Sequence, residues 1–168
     1  MIIPACLRKQ EIEQKFKERF YTEDMLYENG YLGNWCPDIS DEPGEGHYQY
    51  AVVNSEGKLI GYIQYRVDFY SSGAYNFGII SFDKGNPLMG RAVIETMNKL
   101  INVYKLHRIE WRMVSGNPVQ KSYDKFCKIY GGTRTILHDT FKDETGNYRD
   151  SYIYEIIFNS DKDRILRR

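Results

Sequence analysis

The chain is poor in cysteine, and the few cysteines that it has are scattered. Cys6, Cys36 and Cys127 are the three, and no two of them form a CxxC pair. An odd number without such spacing is typical neither of a disulfide framework nor of a zinc site. We therefore interpret all three as reduced thiols, buried or half-buried, and we expect no bound metal.

An excess of charge is also absent, because 23 basic and 23 acidic residues leave a formal net charge of +0. Proteins that bind nucleic acids usually carry a basic excess or a basic stripe. The composition therefore argues against a nucleic acid as partner, and also against an anionic membrane surface.

Long apolar runs are missing as well. No run reaches the roughly 18 residues that a membrane-spanning helix needs. The first ten residues, MIIPACLRKQ, lack the positively charged segment before an apolar stretch that marks a secretory signal. We expect a cytoplasmic protein.

Aromatic residues are abundant by contrast. They make up 15% of the 168 residues, and 15 of them are tyrosines, which suit half-buried strand faces and pocket walls. A hydrophobic content of 42% is ordinary for a globular chain of this length. We predict one domain over residues 1–160, followed by a polar tail over 161–168.

The apolar pattern of the first half predicts helices and then a sheet. Ile12, Phe16 and Phe20 are four residues apart, on one stripe of a helix, and a second helix is predicted to start at Thr22. The segment LGNWCPDISDEPGEGH has the composition of a loop. From residue 48 the period is two, which predicts a hairpin of YQYAVV and KLIGYIQYRV and a third strand, AYNFGIISF.

The second half alternates helices and strands. Apolar residues from Met89 to Tyr104 share a helical face, HRIEWRMVS is a fourth strand, and the next helix has Asn117 as N-cap and Pro118 as its first residue. The segments TRTILHDTFKD and YRDSYIYEIIFN form a closing hairpin. The order is that of an α/β (α+β) domain with one right-handed strand–helix–strand unit.

Three of these segments, in this order, resemble the GNAT superfamily of acyl-CoA-dependent N-acyltransferases. LHRIEWRMVSGN resembles the fifth strand of that family, NPVQKSYDKFCKIYGG the following helix, and FKDETGNYRDSYIYEII the terminal hairpin. The resemblance covers about residues 48–158 and is nearest to the branch of ribosomal-protein N-terminal and spermidine acetyltransferases. It implies a mixed sheet of about six to seven strands, mostly antiparallel, with one parallel splayed pair and flanking helices.

The same resemblance implies an activity. The family transfers an acetyl group directly from acetyl-CoA to a primary amine in a ternary complex, with no metal. The acceptor expected here is a small cationic amine, of the polyamine or amino-sugar type, or a peptide N-terminus. A non-catalytic module of the same fold, which binds coenzyme A or a partner, stays open as an alternative. An unrelated nucleotide-binding domain is disfavoured because GxxxxGK[ST] and GxGxxG are both missing.

The family's diphosphate loop, Q/R-x-x-G-x-G/A, falls on residues 87–92. Gly90 and Ala92 match, whereas Pro87 replaces the Arg or Gln of the family. In one interpretation the helix starts near Gly90, and unpaired amides hold the diphosphate of coenzyme A. In the other, Asn86 simply caps a helix that starts at Pro87. We favour the first, in which the binding amides belong to Leu88, Met89, Gly90, Arg91 and Ala92.

The resemblance also assigns the pantetheine arm and the proton donor. Ile80, Ser81 and Phe82 are expected to line the arm, and Asn117 to touch it as well as to cap its helix. Tyr123 is the candidate general acid for the leaving thiolate, with Tyr130 as the alternative, although the family spacing falls on Asp124. No residue stands out as general base, and a water relay would need none.

The acceptor pocket of this fold is lined by the loop after the first helices and by the terminal hairpin. Trp35, Asp41 and Glu42 on the loop, and His138 on the hairpin, are the candidate acceptor residues. Acidic residues on both sides of a cleft would concentrate a cationic amine; the alternative is two solvated acidic loops. A homodimer is also possible through Tyr152, Tyr154 and Phe158, which are equally consistent with a core.

Overall fold

The computed structural model describes residues 1–20, 22, 27, 36–42, 44, 46–143 and 145–159. The strands are β1 Ile2–Pro4, β2 His47–Val53, β3 Leu59–Asp68, β4 Gly73–Ser81, β5 Arg108–Val114, β6 Thr133–Lys142 and β7 Tyr148–Ile157. The α-helices whose bounds lie within these residues are α1 Lys9–Arg19, α2 Pro87–Asn98 and α3 Gln120–Ile129. A 3₁₀ turn at Ala5–Arg8 precedes α1, and a π-helical turn at Lys99–Val103 continues α2.

The seven strands form one mixed sheet in the order β1-β2-β3-β4-β5-β7-β6. Every neighbouring pair is antiparallel except β4 and β5, which are parallel. These two pair only at Gly73 with Arg108 and at Ala74 with Ile109. Their remaining lengths separate, so the predicted mixed sheet with one splayed parallel pair is confirmed.

Helices cover the two faces of the sheet differently. On one face α2 and α3 pack over a core that includes Ile63, Trp111 and Tyr154. On the other face α1 buries Ile12 and Phe16 against the first strands of the sheet. The edge of α2 and the edge of α3 therefore face each other above the place where β4 and β5 separate.

Several sequence-based details need correction. Strand β1 was not predicted, because three residues are too short to show an alternating pattern. Helix α3 begins at Gln120 rather than at Pro118, since the backbone first makes a turn in which the Gln120 N–H donates to the Asn117 carbonyl at 3.0 Å. Phe20 lies just after the end of α1 and is 37% exposed.

The hairpin aromatics belong to the core, because Tyr154 and Phe158 are fully buried. Most of the helix predicted from Thr22 lies outside the described residues, as does the polar tail at 161–168. In the described part of the chain, no helix has both the length and the apolar content needed to cross a membrane.

Candidate functional site

The separation of β4 and β5 opens a cleft of about 560 Å³ between α2 and α3. Five of the predicted site residues line it. These are Ser81, Met89, Gly90, Asn117 and Tyr123. Most of the other walls are apolar side chains of the two helices and Trp111 of β5. The cleft has the volume and the lining of a site for a small organic ligand.

A second, smaller cavity of about 50 Å³ lies between the separated strands. Its walls are residues 77–80 of β4 and 112–114 of β5, together with Tyr27, Asn117 and Tyr123. Asn117 and Tyr123 thus line both the cleft and the smaller cavity. A ligand in the cleft and a second ligand in the smaller cavity would meet at these two side chains.

The register of β4 decides which of its residues face the cleft. The Phe82 N–H donates to the Ile60 carbonyl at 2.8 Å, and Ser81 lies opposite Gly61 on β3. Because hydrogen-bonded pairs alternate along antiparallel strands, the backbone groups of Ile79 and Ser81 point away from β3, toward the open side. The Arg19 guanidinium donates to the Ser81 carbonyl at 2.6 Å, which agrees with this direction.

This register modifies the predicted lining of the pantetheine arm. Of the three predicted residues, only Ser81 lines the cleft. Ile80 is buried on the α1 face and reaches only the smaller cavity, and Phe82 packs edge-on against Phe16 at 5.7 Å. Ile79, which the sequence reading missed, lines both spaces. Side chains alternate between the two faces of a strand, so Ile79 and Ser81 share a face. This alternation could have identified Ile79 as a site residue.

At the N-terminus of α2 the structure agrees with the second interpretation, in which Asn86 caps a helix that starts at Pro87. Asn86 Oδ1 accepts a hydrogen bond from the Leu88 N–H at 3.0 Å, and the Asn86 carbonyl accepts one from the Met89 N–H at 3.2 Å. The expected helix start near Gly90 is therefore wrong, because the Asn86–Pro87 pair already supplies an N-cap and a first residue. Two amides proposed for the diphosphate are engaged within the protein.

Side chains on the first turns of α2 divide between core and solvent. Met89 and Ala92 are buried, whereas Gly90 and Arg91 are exposed. A Cβ atom built on Gly90 would meet no atom within 4 Å. Nothing in the protein's own packing therefore requires a glycine at this position in the cleft wall.

The loop before α2 carries a negative charge. Asp83 Oδ2 accepts from Asn86 Nδ2 at 3.0 Å and lies 3.6 Å from Lys58 Nζ. The hydrogen bond from Asn86 and the charge of Lys58 lower the pKa of Asp83, so this carboxylate is ionised at neutral pH. The carboxylate holds the Asn86 amide in its capping orientation.

The side chain of Asn117 has one atom that caps a turn of the backbone and another that is available to a ligand. Its Oδ1 accepts from the Val119 N–H at 3.0 Å, which caps the turn before α3. Its Nδ2 has no hydrogen-bond partner among the described residues. A ligand in the cleft would therefore meet a donor that is already held in place.

Tyr123 lies in the wall of the cleft, edge-on to Trp111 at 6.0 Å and to Tyr154 at 5.9 Å. Burial raises the pKa of Tyr123 to about 12. The hydroxyl is therefore protonated at neutral pH and has a proton to donate. Asp124, beside it, is engaged with Arg134 and with the Tyr154 hydroxyl, at 2.9 and 2.8 Å.

Tyr130 is placed less well for the same role. Its ring packs against Phe126 and Phe158, and its hydroxyl is buried without a hydrogen-bond partner in the described part of the protein. It lines neither the cleft nor the smaller cavity. Its position therefore favours Tyr123 over Tyr130 as the candidate general acid.

The four candidate acceptor residues are not brought together. Trp35 lies outside the described residues. Asp41 is ion-paired with Lys9 at 2.8 Å, and Glu42 is exposed. His138 lies on β6, with Nδ1 3.4 Å from an Asp150 oxygen. None of the three described residues lines either space.

One charged residue in the smaller cavity was missed by the sequence reading. Arg112 of β5 lines this cavity, and its Nε donates to Glu110 Oε1 at 3.2 Å. The spacing of Arg108, Glu110 and Arg112 by two residues in a strand places them on one face, which was a usable signal. In the parts of the chain that the structure describes, no group of three or more His, Cys, Asp or Glu is placed to hold a metal ion.

Comparisons with known proteins agree on the fold. No family model and no curated protein matches the chain. Among solved structures it is similar to mutant forms of the spermidine/spermine N-acetyltransferase SpeG from Vibrio cholerae, with 16% identity and a TM-score of 0.60 over 92% of this chain and 95% of that one. A dodecameric spermidine N-acetyltransferase from the same organism gives 19% identity and a TM-score of 0.56, over 67% and 65%.

A third structure, SpeG from Vibrio cholerae in complex with manganese ions, gives 16% identity and a TM-score of 0.55, over 88% of this chain and 74% of that one. At such identities the similarity establishes the architecture. The chain has the fold of the GNAT acyl-CoA N-acyltransferases, as its sequence indicated.

Proposed function

We propose that the protein is an N-acetyltransferase that moves an acetyl group from acetyl-CoA to a primary amine by direct transfer in a ternary complex. One observation carries this proposal: Asn117 and Tyr123 lie where a long cleft for one ligand meets a smaller cavity for another. Direct transfer needs two substrates whose reacting ends meet beside a proton donor.

The cleft offers what acetyl-CoA requires. The backbone groups of Ile79 and the Ser81 N–H, which point away from β3, suit the amides of a pantetheine arm, whereas the Ser81 carbonyl already accepts from Arg19. Asn117 Nδ2 is a further donor. The open space above Gly90 lets a diphosphate approach the first turn of α2, whose N-terminal end favours an anion. In this proposal the Leu88 and Met89 amides reach the diphosphate by exchanging their hydrogen bonds to Asn86. Arg91 and Ala92 flank Gly90 in the same first turns of α2.

Acetyl-CoA supplies an activated acyl group when it is bound, and the chain's own residues position it and handle the protons. The neutral amine attacks the thioester carbon, the carbon–sulfur bond breaks, and the thiolate takes the proton of the Tyr123 hydroxyl. The Tyr123 hydroxyl carries that proton at neutral pH, and the tyrosinate that remains after the transfer regains a proton from water. The amine releases its own proton to water, which needs no basic side chain.

The acceptor is a primary amine in this proposal, either a small amine or a peptide N-terminus. Spermidine acetyltransferases are among the proteins of similar fold, which supports an amine as acceptor. We keep Trp35, Asp41, Glu42 and His138 as proposed acceptor residues, of which the three described ones line neither the cleft nor the smaller cavity. Cytoplasmic location, and action without a nucleic-acid or membrane partner, remain expectations from the sequence.

A second candidate function is a non-catalytic module that binds coenzyme A or a partner. The Asn86 cap favours the form that binds a partner, because Asn86 already engages the Leu88 N–H that the diphosphate of coenzyme A would use. Catalysis and mere binding differ in one measurable product, the free thiol of coenzyme A.

Calorimetric titration with acetyl-CoA tests the proposal, using the wild-type protein, Gly90→Glu and a matched control, Val103→Glu. Val103 is 69% exposed in the turn after α2, so its variant adds the same charge away from the cleft. We expect binding by the wild-type and control proteins and none by Gly90→Glu. Thiol release is then measured with a panel of amines. Binding without thiol release for any amine would favour a non-catalytic module that binds coenzyme A. No binding by the wild-type protein would contradict acetyl transfer and leave a module that binds a partner.

A further inference from the structure

The α2 wall of the cleft has little with which to bind the phosphates of coenzyme A. Pro87 has no N–H to donate, and the N–H groups of Leu88 and Met89 already donate to Asn86. Arg91 is exposed and is not among the described residues that line the cleft. This wall therefore offers two backbone donors only after their hydrogen bonds are exchanged, and it presents no charged side chain.

The opposite wall of the cleft, which α3 forms, carries a cation. Lys125 lines the cleft and is exposed, and its ammonium group has no hydrogen-bond or ion-pair partner among the described residues. Lys125 is also the only charged side chain in the described lining, which contains no carboxylate. An anionic ligand is therefore attracted to the α3 wall, and no negative charge in the described lining opposes that attraction.

A second donor lies beside Lys125 on the same face of α3. Ser122 precedes Lys125 by three residues, so the two side chains are neighbours on the helix surface, and both line the cleft. An ammonium group and a hydroxyl both donate hydrogen bonds to phosphate oxygens. The other lysines of α3, Lys121 and Lys128, are exposed but do not belong to the described lining. Position on the helix therefore distinguishes Lys125 from its neighbours of the same charge.

From this geometry we infer that Lys125, with Ser122 beside it, binds a phosphate group of coenzyme A and supplies the charge that the α2 wall lacks. The inference rests on the proposed function, in which acetyl-CoA is the donor. A chain with Pro87 in its first turn of α2 thus recognises phosphate with a side chain from across the cleft. The diphosphate and the 3′-phosphate of coenzyme A present the same chemistry to an ammonium group, and the experiment distinguishes them.

Calorimetric titration with acetyl-CoA compares the wild-type protein with Lys125→Gln, Lys125→Arg and the matched control Lys128→Gln, which removes the same charge from the same helix outside the cleft. Loss of a charge-assisted hydrogen bond at an exposed site corresponds to about a tenfold rise in Kd. We expect this rise in Lys125→Gln, most of the affinity retained in Lys125→Arg, and wild-type affinity in Lys128→Gln. The difference between the wild-type protein and Lys125→Gln should shrink at high salt, which screens exposed charges.

Acetyl-dephospho-CoA, which lacks the 3′-phosphate, identifies the group that Lys125 binds. Equal affinity of the wild-type protein and Lys125→Gln for this probe assigns Lys125 to the 3′-phosphate. A loss in Lys125→Gln as large as that for acetyl-CoA assigns it to the diphosphate. Either result supports the inference.

Equal urea midpoints of the wild-type protein and Lys125→Gln should show that the loss concerns recognition and not the fold. Wild-type affinity of Lys125→Gln for acetyl-CoA would overturn the inference and leave acetyl transfer standing, as would an equal loss in Lys128→Gln. A loss of the same size at low and high salt would also overturn it, because the effect would then not be that of an exposed charge. Absence of acetyl-CoA binding by the wild-type protein would overturn the proposed function and the inference together.

Discussion

Asn86 Oδ1 accepts a hydrogen bond from the backbone N–H of Leu88 at 3.0 Å, and this contact occupies the end of α2 where a diphosphate would bind. The cap and the cofactor therefore compete for the same donor. We predict that Asn86→Ala lowers the free energy of unfolding by about 0.5–2 kcal/mol, as loss of an N-cap does. The same variant is expected to bind acetyl-CoA more tightly than the wild-type protein.

Urea unfolding and calorimetric titration on the same samples measure the two effects. Asn54→Ala is a suitable control, because the Asn54 side chain caps a turn between β2 and β3, away from the cleft. That variant should lose stability without a gain in affinity. Weaker binding by Asn86→Ala would mean that the Asn86 side chain itself contacts the cofactor.

Gly90 offers a test in which stability and binding change in opposite directions. Alanine in the interior of a helix is favoured over glycine by about 1 kcal/mol, and a methyl group at this position meets no atom of the protein. We predict that Gly90→Ala raises the free energy of unfolding and weakens acetyl-CoA binding. Denaturant midpoints and calorimetric titration measure both, with Glu95→Ala on the exposed side of the same helix as control. Unchanged affinity would remove Gly90 from the site.

Tyr123 is predicted to act in the chemical step rather than in binding. Loss of a general acid typically costs 10²–10⁴-fold in rate, so Tyr123→Phe should lower kcat about 100-fold or more with little change in the KM for acetyl-CoA. Steady-state thiol release measures both constants. Tyr130→Phe is the matched control and should retain activity, because Tyr130 lines neither space. Equal losses in the two variants would argue against a specific role for Tyr123.

The topology could be predicted from the sequence because long strands and amphipathic helices leave strong periodic patterns. The orientation of Ile79, Ile80 and Ser81 needed the register against β3, which a single strand does not reveal. The residue at which α2 starts was harder still to predict. The same residues, Asn86 and Pro87, fit both interpretations, and only the backbone path shows which amides are bonded. The separation between the loop at 36–42 and His138 is a property of strand order, which local composition does not contain.

Charge reversal at Asp41 and Glu42 tests whether these acidic residues attract the acceptor amine over a distance. Both are exposed and line neither space, so any effect on a cationic amine acts through solvent and is screened by salt. We predict that Asp41→Lys/Glu42→Lys raises the KM for a cationic amine a few-fold at low ionic strength, and that the difference disappears at high salt. Glu56→Lys, an exposed turn residue elsewhere, should have no effect at either salt concentration. A difference that persists at high salt would instead indicate direct contact.

Buried tyrosines should make the fold sensitive to alkaline pH. Burial raises the pKa of Tyr123 to about 12 from 10.0, and it also raises the pKa values of Tyr62, Tyr65 and Tyr154. Below the unfolded pKa of 10.0 both states keep these protons, so stability is unaffected. As the pH rises above that value, the unfolded chain releases protons that the folded state retains, and the free energy of unfolding falls.

Urea midpoints measured at about pH 8 and about pH 11, on either side of the ordinary tyrosine pKa, give the size of the effect. Tyr65 is stacked between the rings of Tyr48 and Phe77, at 5.3 and 5.4 Å, so Tyr65→Phe keeps the packing and removes one of the protons. We expect this variant to lose less stability between the two pH values than the wild-type protein. Tyr70→Phe, at a fully exposed position, should behave as the wild type. An identical decline in all three proteins would show that groups other than the buried tyrosines control alkaline unfolding.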